Sequence, residues 1–370
     1  MSEVQTVANP DVVTKYKIAG EIAGRVLEQV KALAVPGAKI ADLCVKGDEL
    51  LNEELAKVYN NKKVTKGIAF PTCVSPNDCV AHFNPLSTDK EAEIELKTGD
   101  VIKISLGAQV DGYPSILADT IVVGESKVEG AVADMIAAAY YATEAALRTF
   151  KPGNRNWDVT KVVDEVVKDF DCVPLEGMMS QQHLKDTMDG KKKIILNPSE
   201  QQRKDFESVK FEEDEVYGLD VIVTSAGSAK AGPKDTPTTI YKKTALTYQL
   251  KLKTSRQAIS EIQKKCGNFP FTVRMLEDQK RARMALQEPL NHGLLDAFEV
   301  VYAKQGTPVV QLFTTFAITK NGILKFASAP APDFTKIATT KKVVNEDLVA
   351  LLNTSLRTNK KKKKAAKTEA

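Results

Sequence analysis

Apolar residues recur at helical spacing in two segments near the start of the chain. In residues 12–35 they fall three or four positions apart and stop before Pro36 and Gly37, and residues 40–58 repeat the pattern. Such spacing places the apolar side chains on one face of a helix, and a Pro-Gly pair ends one. The sequence therefore predicts two amphipathic helices in succession.

Strand-like patterns follow these helices. Residues 102–106 and 116–123 are rich in branched apolar side chains and flank Asp111 and Gly112. An Asp-Gly pair between two such runs is typical of a hairpin turn. The segment therefore predicts two antiparallel strands.

The second half of the chain repeats this order. Residues 132–150 and 159–170 predict two helices, and residues 216–223 and 309–318 predict buried strands. An order of helix, helix and strands that occurs twice predicts an α+β fold of two similar halves around a central cleft.

One segment interrupts the second half. Residues 253–298 have a helical pattern and a concentration of basic side chains. A structureless loop of this length would be unusual in a compact domain, so the segment predicts a small helical subdomain on the rim of the fold. Its basic residues are Arg256, Lys264, Lys265, Arg274, Lys280, Arg281 and Arg283.

The same patterns divide the whole chain. We expect a flexible N-terminal segment at residues 1–11 and a main domain formed by residues 12–252 and 299–345. Residues 253–298 are the helical insert, and residues 346–370 combine a short helix with a basic tail.

Composition indicates a globular intracellular protein. With 370 residues, 43% of them hydrophobic, the chain can bury a large core as one domain or two halves. It has no long apolar run and does not begin with the basic-then-apolar order of a secretory signal, so we expect neither membrane insertion nor export. Five scattered cysteines without a CxxC pair favour reduced thiols and argue against a zinc cluster.

The net charge of +4 does not by itself indicate a nucleic-acid partner, but its distribution is uneven. The tail has too little apolar surface to offset the cost of ordering it, so we expect it to be flexible. Two interpretations stay open: a solubilising tail, or a nuclear address and phosphate-binding arm that ignores base sequence. The lysines concerned are Lys360, Lys361, Lys362, Lys363, Lys364 and Lys367.

Four motifs occur in order within residues 12–326: Gly67-Ile-Ala-Phe-Pro-Thr, Asn77-Asp-Cys-Val-Ala-His82-Phe, Lys103-Ile-Ser-Leu-Gly107 and Glu215-Val-Tyr-Gly-Leu-Asp220. Together with the helical insert they resemble the type II methionine aminopeptidases of the M24 family. The resemblance implies the pita-bread (creatinase/aminopeptidase) fold with a type II helical insert.

Shorter motifs are Lys-Pro-Gly-Asn from Lys151, Glu-Gly-Met from Glu176, Thr-Ile-Tyr-Lys from Thr239 and the lysine-rich tail. They resemble the non-peptidase branch of this family, which includes proliferation-associated, ErbB3-binding and curved-DNA-binding proteins. The resemblance therefore implies a scaffold that has lost its hydrolysis.

The peptidases of the family hold two metal ions with five ligands, and each ligand position is transferred here through its own motif. The transferred positions are Ser105, Ile116, Met178, Asp220 and Phe313. Hydroxyl, hydrocarbon and thioether groups do not replace carboxylates and imidazole, and one carboxylate does not neutralise two divalent ions. The resemblance therefore implies no metal, no cofactor and no catalytic residue. Two roles stay open for Asp220: ligand of a single ion, or a hydrogen-bonding residue in a strand.

The peptidases also use two histidines to handle substrate. One is retained as His82, the other position falls near Met188, and His183 has the wrong spacing to replace it. Two interpretations of His82 stay open: a hydrogen-bonded remnant, or the acid or base of a metal-free hydrolase.

The resemblance implies curved or structured double-stranded DNA as the partner of this chain. Ribosomal RNA or a ribosomal subunit is one alternative, and protein partners that use the old cleft are another. The resemblance also implies a monomer in the nucleus, including the nucleolus, and in the cytoplasm.

We assign nucleic-acid binding to the tail lysines and to six insert residues: Arg256, Lys264, Lys265, Lys280, Arg281 and Arg283. The alternative is an ordinary charged surface in which acidic neighbours pair with these residues along the helices. Those neighbours are Glu261, Glu277, Asp278 and Glu288.

Overall fold

The computed structural model describes residues 5–60, 63–225, 227 and 229–357, apart from the side chain of Lys280. The helices of this part are α1 Pro10–Leu33, α2 Ile40–Ala56, α3 Gly130–Thr149, α4 Asn156–Lys168, α5 Glu200–Asp205, α6 Lys253–Lys265, α7 Gln279–Asn291 and α8 Glu346–Leu352. None of these helices has the length and apolar character that crossing a membrane requires.

The strands occur in groups between the helices, which is compatible with an α+β fold. They are β1 Lys66–Pro76, β2 Cys79–Ala81, β3 Val101–Val110, β4 Tyr113–Val122, β5 Val128–Glu129, β6 Cys172–Pro174, β7 Met179–His183, β8 Lys193–Ile195, β9 Val216–Ser225, β10 Gly232–Pro233, β11 Ile240–Lys243, β12 Phe271–Thr272, β13 Leu295–Phe298, β14 Val301–Tyr302, β15 Val309–Thr319, β16 Gly322–Ala327 and β17 Ile337–Ala338.

The predicted helices of each half are present, and local capping sets the first residues of α1 and α4. The Asn9 side chain accepts a hydrogen bond from the backbone of Asp11, and Pro10 occupies the first turn of α1, where an N–H would have no partner. α4 begins three residues earlier than the apolar pattern predicts, because the Asp158 carboxylate accepts a hydrogen bond from the backbone N–H of Arg155 at 2.7 Å.

Nine strands form one antiparallel sheet that runs through both halves. Its order is β1-β3-β4-β15-β9-β7-β8, with β16 beside β15 and β6 beside β9. The predicted hairpin is confirmed as β3 and β4, which are longer than the apolar pattern and turn at Asp111 and Gly112, both with positive φ. The predicted strands of the second half are confirmed as the neighbours β9 and β15.

Helices cover one face of this sheet. α1 packs on β3 and β4, α2 packs on β1, and α3 packs on β9 and β15. Side chains alternate between the two faces of a strand, so Ile104 and Leu106 enter the core under α1 and α2 while Ser105 points to the other face. In β9, Leu219 and Val221 enter the core of the second half in the same way.

The two halves meet along β4 and β15, where direct backbone pairing is reduced to one residue pair. On each side of this residue pair, a threonine side chain bridges β4 and β15. Thr120 Oγ1 accepts a hydrogen bond from the N–H of Gln311 and donates one to its carbonyl oxygen, both at 2.9 Å. Thr315 Oγ1 does the same with Ile116, at 3.0 and 2.7 Å. These hydroxyls therefore satisfy buried backbone groups that the diverging strands do not pair directly.

Ion pairs attach the segment 253–298 to the rest of the protein. Arg274 donates a hydrogen bond from one guanidinium nitrogen to Asp48 at 2.9 Å and one from another to the Asn84 side chain at 2.7 Å. Arg283 pairs with Asp89 at 2.8 Å, and the Asp89 side chain is only 3% exposed. A buried carboxylate that loses its partner is costly, so these pairs fix the position of the segment. The division of the chain into a main domain and an insert stays a prediction.

Removing the hydroxyl of Thr120 or Thr315 is expected to destabilise the protein. Thr120→Val or Thr315→Val leaves a buried backbone N–H and C=O without partners, so each should lower the free energy of unfolding by about 1–3 kcal/mol. Chemical denaturation followed by circular dichroism measures this change.

Thr143→Val is the matched control for both substitutions. The Thr143 hydroxyl is buried in α3 and has no hydrogen-bond partner among the described residues. Its removal should leave the free energy of unfolding unchanged or raise it slightly. Equal losses in all three variants would contradict a special role for the two bridging threonines.

Candidate functional site

A cavity of about 340 Å³ lies on the sheet face that α1, α2 and α3 leave uncovered. Strand alternation directs side chains of β3, β4, β9 and β15 into it. The cavity brings together all five positions transferred from the peptidase motifs: Ser105, Ile116, Met178, Asp220 and Phe313.

Asp220 supplies the carboxylate of this group. Gln311 donates hydrogen bonds from its side-chain nitrogen to both carboxylate oxygens, at 2.9 and 3.1 Å. The backbone N–H of Asp220 donates to Ser180 Oγ at 2.8 Å. Burial raises the pKa of Asp220 to about 7, and the Gln311 hydrogen bonds offset only part of that effect. The cavity therefore disfavours even this single negative charge.

The other four positions offer little to a hard cation. Ile116 is 3% exposed, and it packs with Phe70 and Phe313 in one apolar cluster. Ser105 contributes a neutral hydroxyl and Met178 a thioether. Across the described part of the chain, no three or more His, Cys, Asp and Glu side chains are grouped so that they could hold a metal ion. The donor set of the cavity does not fit a two-ion centre.

His82 also lines the cavity, and its surroundings hold it in one orientation. Its Nδ1 lies 2.8 Å from the carbonyl oxygen of Glu299. A carbonyl oxygen only accepts, so Nδ1 carries the proton and Nε2 is an acceptor. The ring packs against Phe70 and Phe298, with centroid distances of 6.0 and 5.2 Å. Burial lowers the pKa of His82, so the ring is neutral at pH 7, and these contacts favour the interpretation as a remnant.

Met188 and His183 line the same cavity. Met188 contributes an apolar side chain where the second substrate histidine of the peptidases is expected. His183 is 2% exposed, and its ring stacks on Phe313 with centroids 6.3 Å apart. Burial lowers the pKa of His183 to about 4, so it contributes no positive charge at neutral pH.

Sequence patterns did not single out Gln311 or the ion pair between Lys242 and Asp189, which also line the cavity. Gln311 lies two positions before Phe313 on β15, so strand alternation was the signal that could have placed it there. No local signal predicts the ion pair, because its partners come from segments that meet only in the folded chain.

Ion pairs occupy part of the predicted nucleic-acid surface. Lys265 pairs with Glu261 at 2.7 Å and with Glu277 at 3.4 Å, and Arg283 pairs with Asp89. Glu288 departs from the predicted helical pairing: it accepts hydrogen bonds from the backbone N–H groups of residues 251 and 252.

Other predicted contact residues are available to a partner. Lys264 is exposed and has no carboxylate partner within the described residues. Arg256 is exposed and donates only to backbone carbonyl oxygens, and Arg281 is 78% exposed with Asp278 at 3.8 Å. The six tail lysines and the side chain of Lys280 lie outside the described residues.

Replacing Asp220 with Asn is expected to stabilise the protein above neutral pH. The folded pKa of about 7 lies above the ordinary value of 3.8, so wild-type stability falls as pH rises from about 4 to 7. Asp220→Asn should remove this loss and exceed the wild type by up to about 4 kcal/mol at pH 8. Denaturant unfolding at several pH values measures the difference.

Asp235→Asn, at an exposed position, is the control for this pH series. It should change stability little at every pH, because its carboxylate stays in contact with water. A constant difference between Asp220→Asn and wild type from pH 4 to pH 8 would contradict the assignment of a raised pKa.

Comparison with known proteins identifies the family. The model of metallopeptidase family M24 matches residues 14–191. The curved DNA-binding protein of Schizosaccharomyces pombe is 50% identical in a match that covers 98% of this chain and 95% of that protein. The solved structure of a thermophilic Arx1 is similar with a TM-score of 0.89 and 39% identity, over 95% of this chain and 100% of that one.

A solved methionine aminopeptidase from Thermotoga maritima shares the fold with a TM-score of 0.58 at 18% identity, over 89% of this chain and 100% of that one. The pita-bread fold implied by the motifs is confirmed. The chain belongs to metallopeptidase family M24, in the branch that includes the curved DNA-binding protein of Schizosaccharomyces pombe.

Proposed function

We propose that this protein has no peptidase activity and binds nucleic acid, with a preference for curved duplex DNA, in the nucleus and cytoplasm. One observation carries the first part: the cavity offers one carboxylate at five positions where the family's peptidases hold two ions. The 50% identity to a protein named for binding curved DNA supports the second part, together with the basic surface.

The chemistry of the cavity supports the loss of hydrolysis. The peptidases of the family need coordinated ions that lower the pKa of a bound water to near 7. Ile116 and Phe313 place hydrocarbon at two ligand positions, and Met178 places a thioether at a third. Asp220 alone does not compensate two divalent charges, because the cavity raises its pKa instead of stabilising its charge.

The purified protein is therefore expected to retain no pair of Mn²⁺, Co²⁺ or Zn²⁺ ions after dialysis and to leave methionyl peptides uncleaved. Elemental mass spectrometry and a methionine-release assay measure the two properties. Two tightly held ions together with peptide cleavage would contradict the proposal. Turnover that His82→Ala abolishes would instead establish the metal-free hydrolase.

A variant with restored donors is the positive control for metal retention. It carries Ser105→Asp, Ile116→Asp, Met178→His, Asp220→Glu and Phe313→Glu, which return carboxylates and imidazole to the five positions. We expect this variant to retain more metal than the unmodified protein under the same dialysis.

The exposed cations of the insert and the tail lysines are the proposed contacts to nucleic acid. Lysine and arginine neutralise phosphates and release counterions without reading base sequence. Arg274 and Arg283 hold the insert in place, so its basic surface does not adapt freely to the shape of a duplex. A duplex already bent toward this surface avoids a deformation cost of about 1–6 kcal/mol that straight DNA must meet. Shape preference then requires no base contact.

Curved duplex DNA is expected to bind about tenfold or more tightly than straight DNA of equal length, a difference of about 1.4 kcal/mol. Competition binding over a range of salt concentrations measures both preference and charge dependence. Each phosphate contact should steepen the log-log salt slope by about 0.9. Equal affinity for both shapes would contradict the shape preference, and binding that salt does not weaken would contradict phosphate contact.

Two substitution pairs test which cations contact the DNA. Lys264→Gln with Arg281→Gln should weaken binding to both shapes and reduce the salt slope by up to about 2. Lys161→Gln with Lys336→Gln removes the same charge from exposed positions outside the insert and should change binding less. Structured ribosomal RNA is the alternative ligand, and tighter binding to an RNA duplex than to either DNA would favour it.

A further inference from the structure

A groove of about 520 Å³ runs along α6, between this helix and the segment that leads into it. We call it the α6 groove. Of the described residues, none lines both this groove and the central cavity. Its lining residues are Tyr248, Gln249, Leu250, Arg256, Ile259, Ser260, Gln263 and Lys264.

The helix α6 buries one face and presents a second face to the groove. Its buried residues are Ser255, Ala258 and Ile262. Its groove residues, at positions 256, 259, 260, 263 and 264, recur three or four positions apart and therefore share one side of the helix. Ile259 is half-buried and the other four are exposed, so this face is open to a partner.

Apolar side chains accumulate in the segment that leads into α6. Leu250 is buried in the groove lining, and Leu246 and Leu252 on either side of it are 63% and 54% exposed. The exposed ring of Tyr248 stacks on His292, with centroids 3.7 Å apart, and the Leu246 side chain lies close to the neighbouring Gly293. Exposed apolar side chains that cluster in this way are typical of an interaction surface.

The charge of the groove is positive. Arg256 and Lys264 line it, and no described lining residue carries a carboxylate. One guanidinium nitrogen of Arg256 donates to the carbonyl oxygens of Leu250 and Lys251, at 2.8 and 2.7 Å, which fixes the group at the groove and leaves its other nitrogens free among the described residues. Along α6, Arg256 and Lys264 are about 12 Å apart, at 1.5 Å per residue. The groove therefore has two separated sites for negative groups.

A protein segment matches this surface better than a nucleic acid or a lipid bilayer does. Platforms for unpaired bases use several aromatic rings, whereas Tyr248 is the aromatic residue among the described groove residues and His292 covers one face of its ring. A bilayer receives apolar side chains that protrude, whereas Leu250 and Ile259 line a recess. A helix that carries both apolar side chains and carboxylates complements the recess and its two cations.

We propose that the α6 groove binds an acidic amphipathic helix of a partner protein. Apolar side chains of that helix contact Leu250 and Ile259, and two of its carboxylates, about two helical turns apart, pair with Arg256 and Lys264. This interaction is a second activity of the insert region, beside the contact with nucleic acid, and it uses Lys264 for a different partner.

Fluorescence polarisation with a synthetic peptide tests the groove in the full-length protein. The probe is an alanine-rich helix with leucines three or four positions apart and two glutamates seven positions apart beside them. We expect saturable binding in the micromolar range. A scrambled peptide of the same composition, with its leucines spread around the helix, should bind at least about tenfold more weakly. Absence of binding, or equal binding of both peptides, would overturn the proposal.

A charge exchange tests the predicted pairing without depending on a loss of binding alone. Lys264→Glu should weaken binding of the glutamate probe by about fivefold. A second probe, with lysines in place of the two glutamates, should prefer the Lys264→Glu variant to the unmodified protein. Lys97→Glu makes the same charge change at an exposed position outside the groove and should leave the order of the two probes unchanged. A preference of both probes for the same protein would overturn the assignment to Lys264.

Single-stranded RNA and phosphatidylserine vesicles are the competing ligands. RNA that displaces the probe, and that Tyr248→Ala weakens, would assign the groove to nucleotides and overturn the proposal. Vesicle binding that Leu246→Gln with Leu252→Gln abolishes, without any binding of the probe, would assign the apolar side chains to a membrane and also overturn it. Duplex DNA is absent from these assays, so their outcome is independent of the proposed function.

Discussion

Two threonine hydroxyls join the halves of the sheet at its centre, where the strands diverge and backbone pairing is almost lost. Thr120 and Thr315 each accept from one backbone N–H and donate to one backbone C=O of the opposite strand. The backbone groups they satisfy belong to Gln311 and Ile116, and both of these residues line the central cavity. The same four hydrogen bonds therefore close the sheet and set the positions of cavity side chains. The form of the cavity therefore depends on this seam.

This arrangement explains how a peptidase scaffold persists with a different set of cavity side chains. The side chains that stabilise the sheet lie on its helical face, in the two cores beneath the helix pairs. The side chains at the five positions transferred from the peptidase motifs lie on the other face, so they can change without disturbing those cores. Ile116 and Phe313 even add apolar contacts there. Replacing buried charges with hydrocarbon removes a desolvation cost that only bound ions would offset.

The basic residues of the insert fall into two groups by their surroundings. Arg274 and Arg283 form ion pairs with Asp48 of α2 and with Asp89, and these pairs fix the insert in place. Lys264 and Arg281 project into solvent and are available to phosphates. Charge density in the sequence does not distinguish these groups, because distant segments supply the partners.

The sequence alone determined the α+β class, the repeated order of helices and strands, and the residue types at the five positions transferred from the peptidase motifs. These features depend on local periodicity and on residue types within short motifs, which neighbours along the chain decide. Only the tertiary structure decided that Asp220 meets Gln311 and that Arg283 pairs with Asp89. Each of these contacts joins segments far apart in sequence. Their geometry follows from sheet order and burial, and periodicity carries no information about either.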